Sequence, residues 1–212
     1  MSNHYQTILF DLDSTLIDNV EAFRRILPIV SKRYPIFFNR EDLLFRIYFN
    51  FSNGERIFED ICWEIHWDNP PTYAIFFDFL WDLYIHASVC FPCTVPTLEI
   101  LKKRGYRLGI ITNGDPLSQN VKIDAAGIRD YFDTILVSKA VGISKPNSEI
   151  YELAMEMLGA EKNTTLFVGD NPKTDIMGAR NTGIDSFLVS RGKDLLGATY
   201  IGPDISEILK IL

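Results

Sequence analysis

Two carboxylates stand two residues apart in Asp11-Leu12-Asp13-Ser14-Thr15, directly after the apolar run Thr7 to Phe10. Burying one ionised carboxylate is costly and crowding two raises a pKa, so the pair asks for a cation or a shared proton. Magnesium would answer, because a hard divalent cation takes oxygen ligands and often only one or two carboxylates beside water and phosphate. Two Asp that merely open a turn are the plainer reading. Three further segments end apolar runs in residues of chemical use. Thr112-Asn113-Gly114 offers a hydroxyl, an amide and a flexible backbone that could donate to an anionic oxygen, although Asn-Gly is also a common turn. Gly142-Ile143-Ser144-Lys145-Pro146 presents an ammonium from a loop, since Pro146 disfavours helix at Lys145; it either neutralises a phosphate or is simply solvated. Gly169-Asp170-Asn171-Pro172-Lys173-Thr174-Asp175 sets Asp170 in a loop and Asp175 in the first turn of a helix opened by Pro172, where acids also suit the helix dipole. Together the segments supply a nucleophile, donors, a cation and metal ligands.

Such groups must be held by regular elements. The runs Thr7 to Phe10, Leu108 to Ile111, Thr134 to Val137, Thr165 to Val168 and Ser186 to Val189 have no alternation, which suits parallel strands buried on both faces. Helical stripes lie between the later runs. Ile150, Leu153, Ala154 and Met157 share one face of Glu149 to Leu158, with Gly159 as C-cap, and Ile205, Ile208, Leu209 and Leu212 repeat the spacing. The expected fold is therefore α/β, a doubly wound, Rossmann-like parallel sheet, whose ligands bind beyond the carboxyl ends of the strands. Each of the four segments falls at such an end.

Residues 17 to 92 differ. They hold 18 of the 27 aromatics but only one of the 13 glycines, Gly54. Val20, Phe23, Leu27 and Val30 follow a helical stripe with Asp18 as N-cap and Pro28 as a kink; Glu55 to His66 and Thr72 to His86 also read as helices. The expected organisation is an α/β core of residues 1–16 and 93–212, interrupted by an α-helical insert of residues 17–92. The net charge of −7 opposes nucleic-acid or anionic-membrane binding. No apolar run is long enough to span a bilayer, and the first residues do not begin a signal peptide, so a cytoplasmic protein with reduced thiols is expected, the Cys90/Cys93 pair included.

With these motifs in order, the sequence resembles the haloacid dehalogenase superfamily of phosphatases and phosphotransferases. The family's DxDxT stands as Asp11 to Thr15, its hydroxyl motif as Thr112, its lysine motif as Lys145 and its GDxxxxD as Gly169 to Asp175, and the insert sits where many members carry a helical cap. Ser14 replaces the Gly of many members. The resemblance implies a phosphatase in which Asp11 attacks phosphorus and Asp13 is general acid, then base. It also implies Mg2+ held by the Asp11 side chain, the Asp13 backbone carbonyl and the Asp170 side chain. Thr112 and the Asn113 and Gly114 amides would bind the phosphoryl oxygens, Lys145 would balance their charge, and Asp175 would orient Lys145 or a metal-bound water.

The partner this implies is a small phosphorylated metabolite of the nucleotide, phosphoglycolate or sugar phosphate type. Dehalogenation of a haloacid, phosphotransfer to a sugar as in the family's mutases, and a non-catalytic binding role are the alternatives. Asp13 speaks against dehalogenation, because a halide leaves without a proton. The cap would close over the phosphate and contact the leaving group. Arg24, Arg25, Arg46 and Arg56 could meet a second anion. Trp63 and Trp67 could stack on a base, but their four-residue spacing favours packing on one helix face. Surplus aromatic surface would pack on the core, line the pocket or form a homodimer contact.

Overall fold

The structure is a computed structural model that describes residues 4–48, 53–190 and 197–212. Phe49 and Phe51 of the aromatic-rich stretch lie outside the described residues. Strand β1 (Thr7–Phe10) is followed by helices α1 (Asn19–Arg33), α2 (Glu41–Tyr48), α3 (Gly54–Glu64) and α4 (Tyr73–His86). Next come α5 (Thr94–Lys103), β2 (Arg107–Thr112), α6 (Pro116–Ala125), β3 (Thr134–Val137), α7 (Ser138–Val141) and α8 (Ser148–Leu158). After β4 (Thr165–Gly169), a π-type turn (Pro172–Ile176) runs into α9 (Met177–Thr182), then β5 (Asp185–Val189), β6 (Tyr200–Gly202) and a 3₁₀ helix (Ile205–Lys210). Among the described residues no helix is long and apolar enough to cross a membrane.

The six strands form one parallel sheet in the order β3-β2-β1-β4-β5-β6. Successive side chains leave a strand on opposite faces. Ile8, Phe10, Leu108, Ile110, Leu166 and Val168 accordingly enter one buried cluster, while Leu9, Ile111 and Phe167 enter a second. Both faces are covered, which is why the strands read as unbroken apolar runs. The short edge strand β6 was not among the expected strands.

Two helical stripes need correction. The buried face of α8 is Ile150, Tyr151, Ala154, Met155 and Leu158, whereas Met157 is 58% exposed. Tyr151 decides the rotation, because it buries its ring against Phe167 and still gives its hydroxyl proton to the Thr174 carbonyl at 2.9 Å. Gly159 ends the helix in the left-handed region at φ 56, as expected of a C-cap. The final segment is 3₁₀, not α; its buried residues Ile205 and Ile208 are three apart and so align in that helix.

The chain divides into two compact units, Met1–Asp18 with Val89–Leu212, and Asn19–Ser88. The helical unit is thus narrower than the insert of residues 17–92. Ile17 bridges Cys90, and the Asp18 N–H donates to the Val89 carbonyl at 2.8 Å, which keeps these flanks in the α/β unit. Cys62, Cys90 and Cys93 are free thiols, and burial pushes Cys90 up to about 11.

The interior of the helical unit is made of rings. Phe76 on α4 lies 4.9 to 6.1 Å, centroid to centroid, from Tyr34, Phe37, Phe58 and Trp67. A unit this small has few core positions, and aromatic side chains bury the most area per position. Trp63 departs from expectation at 80% exposed. Helix α3 ends at Glu64 and the chain turns through His66 at φ 51, so Trp67 has left the helix and no longer shares a face with Trp63. Arg25 pairs with Glu21, and Arg46 with Glu64, within the same unit.

Candidate active site

Strand β1 is central in the order of strands, with β2 and β4 as its neighbours. Its end therefore meets the ends of both, and the motifs converge there. A cleft of about 290 Å³ is lined by Asp11, Asp13, Thr112, Asn113, Lys145 and Asp170, together with Ser14, Asn171 and Thr174. Larger hollows of about 780 Å³ near Tyr5 and Arg104, and of about 680 Å³ within the helical unit, lack this chemistry. Ser14 adopts φ 61, a left-handed conformation that glycine reaches without cost, so a small residue at this position has a backbone reason.

Lys145 is not a solvated surface lysine. It is 4% exposed, and its Nζ donates to Asp11 Oδ1 and to Asp175 Oδ1, both at 2.6 Å. Asp175 is fully buried, and its Oδ2 accepts the Asn171 N–H at 2.9 Å. The acid at the helix start thus orients the lysine rather than only meeting the helix dipole. Asn113 fixes the lysine's backbone: its Oδ1 accepts the Lys145 N–H at 2.9 Å and its Nδ2 donates to the Lys145 carbonyl at 3.0 Å. The Gly114 N–H donates to Ser138 Oγ at 3.0 Å, and Gly114 does not line the cleft.

The glycine of Gly169-Asp170 has a steric cause. A Cβ on Gly169 would fall on the Asp175 carboxylate, so only glycine lets that acid pack under the end of β4. Asn171 caps the π-type turn by accepting the Lys173 and Thr174 N–H groups, and the wider turn carries Asp175 inward.

Charge is unbalanced here. Carboxylate oxygens of Asp11, Asp170 and Asp175 lie within 4.8 Å of one another, and Lys145 touches only Asp11 and Asp175. Burial raises the Asp11 carboxyl, against the pull of Lys145 and with the push of Asp175 and Asp170. Burial, then the charge of Asp175, pushes Asp170 up to about 6; Thr15 Oγ1, 3.3 Å away, donates to it. Lys145 is raised overall, because its two carboxylate partners outweigh the cost of burying its charge. A cluster of hard oxygen donors with surplus negative charge fits a divalent cation. The Asp13 carboxylate is outside the cluster, leaving its main-chain oxygen as the only route to the ligand role expected of it.

Asp13 is occupied otherwise, by two residues that sequence reasoning missed. Lys122 Nζ donates to its Oδ1 and Gln119 Nε2 to its Oδ2, both at 2.9 Å. Both donors stand on α6, whose start is marked by Asp115 as N-cap and Pro116. Their three-residue spacing puts them on one face, a signal that any helix surface also gives.

A parallel sheet that gathers a lysine and several aspartates at its central strand ends, with a helical unit inserted after the first strand, defines a class of α/β proteins. The chain belongs to the haloacid dehalogenase-like hydrolases, whose family model matches residues 8–189. It is 38% identical over 132 residues to a glyceraldehyde 3-phosphate phosphatase of Methanothermobacter thermautotrophicus, covering 58% of each chain. A protein of the same name from Pyrococcus abyssi is 30% identical over 205 residues, 89% of this chain and 82% of that one. The crystal structure of a HAD phosphatase from Thermococcus onnurineus superposes with a TM-score of 0.68 at 27% identity over 97% of both chains. Against several curated relatives, the first of these included, the chain spans only about half of the relative's length.

Proposed function

We propose that the protein is a magnesium-dependent phosphatase that hydrolyses a small phosphomonoester through an aspartyl phosphate on Asp11. The observation that carries this reading is the pairing of roles on one strand end. Asp11 faces the cleft beside a buried lysine, and two residues later Asp13 lines the same cleft, held by its own donors. In the first step an Asp11 oxygen bonds to phosphorus as the ester bond breaks, and Asp13 gives its proton to the departing oxygen. In the second step Asp13 takes a proton from water, whose oxygen bonds to phosphorus while the Asp11–phosphorus bond breaks. Lys145 and the Thr112 hydroxyl receive the phosphoryl oxygens.

Asp11, Asp170 and the Asp13 carbonyl would hold magnesium, which when bound supplies charge that offsets repulsion between the nucleophile and the phosphate. The relatives named as glyceraldehyde 3-phosphate phosphatases favour a short sugar phosphate as substrate. The test is phosphate release from a panel of nucleotide, phosphoglycolate and sugar phosphate esters with magnesium. Turnover should vanish on chelation. Asp11→Asn should lower it at least about 10³-fold with the fold intact, because the near-isosteric amide is a poor nucleophile. Turnover by that variant at the wild-type rate would refute the reading.

A further inference from the structure

We infer that Gln119 and Lys122 are positioning residues that aim the Asp13 carboxyl at the leaving group. The inference rests on the phosphatase reading and deepens it. Between them, the Lys122 ammonium and the Gln119 amide engage both Asp13 oxygens, each at 2.9 Å. A carboxyl group has about four lone-pair sites. Donors on one site of each oxygen exclude Asp13's own proton from those sites and direct it to the remaining ones, while Asp13 itself lines the cleft. The acid is thus fixed in orientation before a substrate arrives, and pre-set orientation is what proton transfer to a leaving oxygen needs.

Gln119 does a second task. Its Nε2 also donates to Thr112 Oγ1 at 2.6 Å. Because Asp13 accepts there and the Asn113 carbonyl lies 3.4 Å from the same nitrogen, the amide nitrogen must face this side. A hydroxyl that accepts from Gln119 keeps its own proton for another acceptor, so Thr112 is set to donate to a phosphoryl oxygen. One amide therefore links the acid to a phosphate donor. Lys122 is 4% exposed, and an ammonium buried to that degree is costly unless paired. For stability alone, well-packed apolar residues in place of both Lys122 and Asp13 would often serve as well.

The experiment compares kcat/KM on two esters: p-nitrophenyl phosphate, whose leaving group departs without a proton, and the alkyl phosphomonoester that the wild-type protein cleaves fastest. Lys122→Met should lower kcat/KM on the alkyl ester by about 10²-fold and on p-nitrophenyl phosphate by less than about tenfold. Gln119→Met, which also frees Thr112, should lower kcat/KM on both esters but on the alkyl ester the more, and that difference stands in if Lys122→Met fails to fold. In an Asp13→Asn background Lys122→Met should cost nothing more on the alkyl ester. For either variant an equal fall on both esters or no change on either, or for Lys122→Met a further loss in the Asp13→Asn background, would overturn the inference while leaving the phosphatase reading intact. If the wild-type protein releases phosphate from no ester, or Asp11→Asn retains full turnover, the phosphatase reading itself fails, and this inference with it.

Discussion

Lys145 has two acids within 2.6 Å and almost no solvent, so its removal strands buried charge. Breaking one side of a buried ion pair typically costs about 3–5 kcal/mol. Lys145→Met should therefore lower the unfolding free energy of the metal-free protein, measured by urea denaturation, by an amount of that order; a loss below about 1 kcal/mol would mean that the cluster is solvated. Asp170 gives a pH signature. Its carboxyl is raised to about 6 from 3.8, chiefly by burial. A raised carboxyl contributes stability fully below its unfolded value and loses it as pH climbs through the folded one. Metal-free protein should thus lose this contribution between about pH 4 and pH 6, and magnesium should raise the melting temperature more at pH 7 than at pH 5. Equal magnesium shifts at the two pH values would contradict this. Asp11, Asp13 and Asp170 were legible in the sequence because they end apolar runs alongside Thr112 and Lys145, a combination that separate turns and helix caps do not explain. Gln119 and Lys122 were not, since polar residues on a helix look alike until one knows what the helix faces.

The helix that follows β4 starts as a π-type turn, and its packing depends on α8. A Cβ on Gly178 would fall on the Tyr151 ring and hydroxyl, the group that bonds the Thr174 and Asp175 carbonyls. Gly178→Ala should cost about 1–3 kcal/mol by overpacking, and it should depress turnover because Tyr151 supports the turn that carries Asp175. Unchanged turnover at lowered stability would confine Tyr151 to a packing role. Strands β1 to β5 were legible to within a residue or two, since short unbroken apolar runs suit strands buried on both faces; the three-residue edge strand β6, with Ile201 exposed, offers no such run. The face of α8 was not. Its sequence offers apolar residues on more than one side, and the contact of Tyr151 with Phe167, together with its hydroxyl's carbonyl partners, selected the one that is buried.

Across the whole molecule, two units are held by different means: the α/β unit by a layered aliphatic core, and the helical unit by clustered rings around Phe76. Phe76→Ala should remove about 3–5 kcal/mol from the helical unit. Hydrogen exchange should then speed up in α1, α3 and α4 while the amides of β1 and β4 stay protected, because separate units open separately. Uniform acceleration through both would show a single cooperative unit. The sequence by itself determined the α/β class, the positions of β1 to β5, the helical insertion and the motif residues, because burial on two faces and crowded carboxylates leave local marks. Only the tertiary structure decided which residues meet. The order β3-β2-β1-β4 puts the ends of β2 and β4 on either side of Asp11, and it turns α6 so that Gln119 and Lys122 reach Asp13 across more than a hundred residues of chain. Local pattern fixes where most elements lie; their exact faces and their neighbours come from sheet order and helix rotation, which are set by packing among residues distant in the chain.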